Sequence, residues 1–286
     1  MTKFNGVWNI MRLNHNLASL NVYKEYSKNL KSNSVAMKRV SSGQKINSAK
    51  DDPNNLAKSE RMRMNIRGLQ MANRNIQDGV SMLQSADGSL SSMNSILGRI
   101  RELSVQYGNG SNSKEDKEII KEEISQMIES YDEAVANSEF NGVKLFDNKI
   151  KERSMQLGPD VGDSMDIEFF NLTEELKDLK DLVEKEDADF TDKALEEVDK
   201  AINKVVDVRS KYGAIVNKFE GTMSNLSQYE LITQESESRV RDADIAEEMI
   251  EVARTNILLD AGMSIMVQTN QLPQDMLRVL ENIRTK

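Results

Sequence analysis

Cysteine is absent from the 286 residues, histidine occurs once, proline three times, and aromatic residues make up 5% of the chain. Without cysteine there can be no disulfide and no thiolate nucleophile. The single histidine, His15, allows neither an H-E-x-x-H pair nor a structural zinc set, and its expected place is the surface of the first helix. No glycine-rich phosphate loop, no G-x-S-x-G elbow and no periodic Ser/His/Asp set is present. No run reaches the roughly eighteen apolar residues of a membrane span. The first residues hold no compact apolar stretch before a small-residue cleavage site. The expectation is a chain that is no enzyme, needs no cofactor or metal, and inserts in no membrane. It either stays in the cell or leaves by a route that requires no cleaved signal.

Charge is plentiful. Charged residues are 30% of the chain and the net charge is −9. Residues 1–106 carry 16 Lys/Arg against 7 Asp/Glu, a sum of +9, which leaves −18 for the remainder. A basic first arm and an acidic second part can attract each other within or between molecules, or simply form two solvated surfaces. The basic residues lack aromatic interleaving and the whole chain is acidic, so nucleic acid is not an expected partner. The acidity of the last helix argues against an anionic lipid surface.

Seven-residue spacing dominates the pattern. Leu13, Leu17 and Leu20 open an amphipathic stretch from Met11 to about Val40, and Tyr23, Leu30 and Met37 continue it. Ser41-Ser42-Gly43 breaks it. Asp51 and Asp52 before Pro53 read as a helix start, with the carboxylates taking up free backbone N–H groups, rather than as a metal site. Met62, Leu69, Ile76, Leu83, Leu90 and Leu97 then mark a helix from about Asn54 to Gln106, which would be ~80 Å long at 1.5 Å per residue. Ser113 caps a shorter helix to Asn137 with Ile120, Ile124, Met127, Ile128 and Tyr131 on its apolar face.

The period changes at Asn141-Gly142. The stretches NGVKLFD and SMQLGPDVGDSMDIEFF alternate apolar and polar residues around Gly and Pro, as short hairpins do. Residues 171–200 hold 12 acidic and 5 basic residues, with Leu176, Leu179 and Leu182 suggesting a short helix or helical linker. From Thr191 a second rod follows, marked by Val198, Val205, Tyr212, Phe219 and Leu226. It leads into a last seam of Ile245, Val252, Leu259 and Met266, with a hinge expected near Asp242–Asp244. Glu247 and Glu248 suit the start of that helix. Most of the 16 methionines sit at seam positions, as a deformable interface would use them.

The predicted fold is mainly α, with long antiparallel helical rods, coiled-coil-like terminal helices and a small β-hairpin region. The plan is nested, so that the two outer helices meet. Seams this long need partners beyond their own helix, which points to self-assembly through Leu13, Leu17, Leu20, Ile245, Val252, Leu259 and Met266.

Several segments carry a family resemblance. They are MRLNHNLASLN from Met11, SSGQKINSAKDD from Ser41, NIQDG from Asn75, FNGVKL from Phe140, RSKYGA from Arg209, ESRVRDADIAEEM from Glu237 and QTNQLPQ from Gln268. Together they resemble bacterial flagellin, in order, over nearly the whole chain. The resemblance implies a structural subunit of the flagellar filament for motility, with a hook–filament junction protein as the alternative. It implies terminal segments that are disordered in the monomer and pair as helices lining the filament lumen (1–43 and 242–286). It further implies rods with hairpins in the next shell (44–170 and 191–241), and the acidic stretch 171–190 in place of large outer domains. Some clostridial flagellins carry a zinc protease there, and this chain has neither the insertion nor the motif.

The implied partners are further copies of the chain, the flagellar export apparatus, an export chaperone, and the cap and hook-associated proteins. The implied location is extracellular, in the filament. Residues Arg99 to Gln106 resemble the flagellin site read by Toll-like receptor 5, with Arg99, Leu103 and Glu123 at its key positions and Gly98 departing from the usual glutamine. The same residues can instead serve packing between protomers. Relative to the family's usual bounds, residues 1–10 are expected to be either an extension or a misplaced start, and residues 281–286 run slightly past the usual terminus.

Overall fold

A computed structural model of the chain describes residues 16–147, 152–184 and 190–284. His15, Leu13 and Trp8 therefore lie outside the described residues. Six helices run in the order α1 (Leu17–Ser42), α2 (Pro53–Tyr107), α3 (Lys114–Asn137), α4 (Lys177–Glu184), α5 (Phe190–Arg241) and α6 (Ile245–Arg284). Between α3 and α4 lie β1 (Glu139–Phe140), β2 (Val143–Lys144), β3 (Glu152–Gln156) and β4 (Ser164–Glu168), paired as two antiparallel hairpins. The mainly α expectation holds, and so do the hairpins.

The helix ends follow local chemistry. Gly43 closes α1 in the left-handed region at φ 69°, and its N–H donates to Arg39 O. Asp52 Oδ1 accepts the Asn55 N–H at 3.0 Å at the entry to α2, and Pro53 is its first residue. Asp51 Oδ2 accepts from the Asn47 N–H, the Ser48 N–H and the Ser48 hydroxyl, holding the loop shut. These bonds keep both carboxyls below their ordinary pKa, the Ser48 hydroxyl leading for Asp51 and the Asn55 N–H for Asp52. Ser113 and Asp116 form a reciprocal capping box on α3. Asn141 and Gly142, both at positive φ, make the two-residue turn between β1 and β2.

The chain divides into two compact units. One is made of the described parts of Met1–Met62 and Glu235–Lys286, the other of Arg63–Gln234.

In the second unit the predicted seams face one another. Leu69, Ile76, Leu83, Leu90 and Leu97 are buried, as are Val198, Val205, Tyr212 and Phe219. Most of these join Ile124, Ile128 and Tyr131 of α3, Ile167 of β4, and Leu176 and Leu179 in one core. The acidic stretch thus contributes to the core through its leucines. Polar bonds at the rim show that α2 and α5 are antiparallel: Gln70 reaches Glu230, Asp87 accepts from Arg209, and Arg101 donates to Asp199. At one end of this core Tyr107 meets Phe190 edge-on, with ring centres 4.6 Å apart.

Candidate assembly surface

In the first unit α1 and α6 form an antiparallel pair. Asn16 bonds Thr269 O, Asn33 bonds Thr255, and Arg39 bonds Glu248, so numbers rise on one helix as they fall on the other. The face that α1 turns inward carries Ser19, Val22, Tyr26, Asn29, Asn33, Ala36 and Val40, spaced alternately by three and four. Opposite are Glu248, Val252, Thr255, Leu259, Gly262, Met266 and Thr269. Gly262 faces Tyr26, and a Cβ there would meet its ring at 3.6 Å, an ordinary contact.

This inner seam interleaves apolar side chains with polar ones. Asn33 Nδ2 donates at 2.8 Å to Thr255 Oγ1 and at 2.8 Å to Asn256 Oδ1. The buried Thr255 hydroxyl in turn donates to Glu251 O at 2.8 Å. Arg39 Nη1 lies 2.9 Å from the half-buried Glu248 carboxylate. Such bonds fix register, because a slip by one turn would leave each group unpaired in a partly dry seam.

The assigned assembly residues divide between two faces. Val252, Leu259 and Met266 lie on the inner seam, whereas Ile245, at the first turn of α6, is 44% exposed. Leu17 is 69% exposed and Leu20 49%, and Tyr23, Leu30 and Met37 are exposed beside them. The strongest apolar column of α1 therefore faces away from α6. On α6 a second column also faces outward: Leu258, Ile265, Leu272 and Val279, again seven apart.

The connections between the pair and the rods are bonded to each other. The Lys45 N–H donates to Arg241 O at 2.7 Å, the Ala243 N–H donates to Gly43 O at 3.0 Å, and Gln44 pairs antiparallel with Asp242. The Arg241 guanidinium, mostly buried, reaches Glu60, Ser59 and Gln44. Ser59 donates to Glu237 at 2.8 Å. The break expected near Asp242–Asp244 is here: α5 ends at Arg241 and α6 begins at Ile245, with Asp244 Oδ1 accepting the Ala246 N–H at 2.9 Å.

The three residues of the receptor-like stretch also separate. Arg99 is exposed and bridges Glu123 at 2.7 Å and Glu102 at 3.2 Å. The bond to Glu123, then that to Glu102, raises the pKa of the guanidinium. Leu103 is only 1% exposed and belongs to the core of its unit. Among the described residues no group of acidic or histidine side chains is placed to hold a metal.

Paired terminal helices with open apolar columns, joined to antiparallel rods, define a helical structural protein of the self-associating kind. Comparison with known sequences makes this specific. The profile of the bacterial flagellin N-terminal helical region matches residues 13–151, and that of the bacterial flagellin C-terminal helical region matches 195–280. Flagellin of Halalkalibacterium halodurans is 38% identical, over 94% of this chain and 100% of the relative. Flagellin of Bacillus subtilis is 37% identical over 94% of this chain and 100% of its own length. The flagellar filament 30.7 kDa core protein of Treponema maltophilum is 34% identical over 94% and 100%. The chain belongs to the bacterial flagellin family. A solved structure described as a flagellar hook-associated protein of Vibrio parahaemolyticus shares the fold, with a TM-score of 0.58 at 18% identity, over 67% of this chain and 100% of that one.

Proposed function

We propose that this chain is a non-catalytic structural subunit that polymerises into the bacterial flagellar filament. The observation that carries this reading, beside family membership, is the pair of unpartnered apolar columns on α1 and α6. Columns of that kind at seven-residue spacing are contact surfaces for further helices. In this reading α1 and α6, with segments 1–43 and 242–286, form the layer at the filament lumen. Segments 44–170 and 191–241 form the next shell, and 171–190 stands in place of outer domains.

The chain leaves the cell through the flagellar export apparatus, guided by an export chaperone, and folds extracellularly beneath the cap. Local helical contacts favour fast folding there. Hook-associated proteins flank the filament. Arg99 and Glu123 supply an exposed ion pair for Toll-like receptor 5, with Leu103 holding their helices in place.

Electron microscopy of purified chain added to filament seeds tests the reading. Long filaments are expected. A short collar on hook ends would instead identify a hook–filament junction protein. Deleting Ser236–Lys286 should leave soluble helical protein that does not elongate seeds, and normal filaments from that truncation would overturn the role of α6.

A further inference from the structure

Helix α1 is basic in a chain whose net charge is −9. It carries Lys24, Lys28, Lys31, Lys38 and Arg39 against one carboxylate, Glu25. Arg39 is engaged by Glu248 in the inner seam, and the four lysines stand elsewhere. Each follows an inward-facing residue by two: Lys24 after Val22, Lys28 after Tyr26, Lys31 after Asn29 and Lys38 after Ala36. Two residues turn a helix by about 200°, so the lysines line the side of α1 opposite α6. All four are exposed. Lys24 and Lys31 make no ion pair among the described residues. The contacts of Lys28 with Glu25 and of Lys38 with Asp51 are long, at 3.9 and 3.8 Å. Beside this row runs the exposed column of Leu20, Tyr23, Leu30 and Met37.

A lysine row beside an apolar column is the pattern of a helix that lies at the interface of an anionic bilayer. The apolar side chains enter the headgroup boundary while the lysine stems reach out to the phosphates. We propose that this side of α1 holds the unassembled chain on an anionic phospholipid surface. The inference goes beyond the filament-subunit reading. A bilayer meets both rows at once along the whole of α1, whereas a soluble polyanion pairs with the lysines and leaves the column in water. Among the described residues no helix is long and apolar enough to cross a membrane, so the contact is with the surface. The acidity of the last helix does not oppose it, because those carboxylates are carried by α6, which packs against the other side of α1. Assembly covers the same apolar column, so the lipid contact belongs to chain that has not yet assembled.

Unassembled chain is sedimented with vesicles of phosphatidylglycerol mixed with phosphatidylcholine, and with phosphatidylcholine vesicles alone. Binding to the anionic vesicles is expected at low salt, several-fold or more above that to the neutral ones, and it should fade as salt rises. Each lysine near such a surface contributes about fivefold, so Lys24→Glu with Lys31→Glu should weaken binding by more than about twentyfold while helix content stays unchanged. Lys58→Glu with Lys218→Glu alters the net charge equally, outside α1, and should retain most of the binding. Equal binding to neutral vesicles overturns the proposal, as does equal loss in the two charge-reversed pairs. Poly-glutamate that binds as tightly as the vesicles, through the same two lysines, would assign the row to an acidic peptide and overturn the lipid surface as its partner.

A second measurement reads the apolar column. The chain has no cysteine, so a polarity-sensitive dye on Leu30→Cys reports on that position alone. The same dye on Ile119→Cys of α3, an exposed site in the other unit, is the control. Anionic vesicles should shift the emission of the first to the blue and leave the second unchanged. No shift at Leu30→Cys, or an equal shift at both sites, overturns the contact. Seeded elongation separates this failure from that of the subunit reading. Chain that elongates seeds but ignores anionic vesicles loses only the lipid contact, and chain that binds them but elongates no seed loses only the filament role.

Discussion

Asn16 donates through Nδ2 to the carbonyl of Thr269 at 2.8 Å, and that carbonyl is the one Pro273 leaves without its helical N–H. A proline inside a helix removes the bond to the residue four before it and ordinarily bends or ends the helix. Here α6 continues to Arg284, and the orphaned oxygen is taken up by the helix paired with it. The same asparagine also begins α1, its Oδ1 accepting the Ser19 N–H at 3.1 Å. One side chain therefore starts one helix and relieves a defect in the other.

The first prediction follows from that pairing. Asn16→Ala should cost about 1–2 kcal/mol of α1–α6 pairing through the lost cap and the stranded carbonyl. Pro273→Ala restores the N–H and should strengthen α6. Combined, the two substitutions should be non-additive, because Thr269 O then has a partner without Asn16. Hydrogen exchange across residues 17–42 and 245–270 in assembled filaments reads both effects.

Two glycines of α2 should respond in opposite ways. A Cβ at Gly79 would lie 2.7 Å from Met155 Sδ and 2.9 Å from Phe219 Cε2, whereas nothing stands within 4 Å of one at Gly88. Phe219 is fully buried, so Gly79→Ala forces a shift in the core and should cost about 1–2 kcal/mol, with the Met155 side chain giving most easily. Gly88→Ala gains only helix propensity and should stabilise by up to about 1 kcal/mol. Denaturant unfolding of the whole chain distinguishes them.

Leu103 and Arg99 stand a turn apart in α2 with different duties. Leu103→Ala empties a core position and should cost about 2–5 kcal/mol. Arg99→Ala breaks an exposed ion pair and should leave the unfolding midpoint nearly unchanged. If a receptor reads this surface, Arg99→Ala should weaken it without loss of fold. Loss through Leu103→Ala should track unfolding instead, measured on the same samples by circular dichroism and binding.

The two buried tyrosines give the chain an alkaline limit. Tyr131 has its pKa raised by burial and secondarily by the nearby charges of Glu175 and Asp132, and burial alone raises that of Tyr212. An acid whose folded pKa exceeds its unfolded value contributes stability below the unfolded pKa, near 10.0 here, and that contribution is lost as pH rises further. Unfolding by base should therefore begin above about pH 10. Tyr131 has no hydrogen-bond partner for its hydroxyl among the described residues, whereas Tyr212 donates to Glu168 O at 3.3 Å. Tyr131→Phe should be neutral or stabilising by about 1 kcal/mol, and Tyr212→Phe should destabilise by about the same amount. Both should move the alkaline midpoint upward relative to the midpoint at neutral pH.

The rods were legible because their period is strict. Leu69 to Leu97 and Val198 to Phe219 repeat every seven residues and each is buried. The ends were legible because Gly43, Ser113, Pro53 and Asn141-Gly142 each have a local reason to stand where they do. The facing of α1 was not legible. Periodicity finds the most apolar column, Leu20 to Met37, but the chain pairs through the face where Asn33 finds three acceptors on α6. Polar bonds between residues more than 200 apart leave no trace in a hydrophobic pattern. The burial of Leu103 was not legible for another reason. α2 packs on both α3 and α5, so its buried stripe is wider than a two-helix seam and takes in a position beside the heptad.

The central claim is that the α1–α6 pair is the polymerising element of a flagellar filament, and an electron cryomicroscopy reconstruction of filaments grown from this chain tests it most directly. The account predicts α1 and α6 in the innermost layer, with the exposed apolar faces of both helices covered by neighbouring copies. Filaments whose inner layer is built from the α2–α5 rods, with the Leu20 to Met37 face open to solvent, would contradict it.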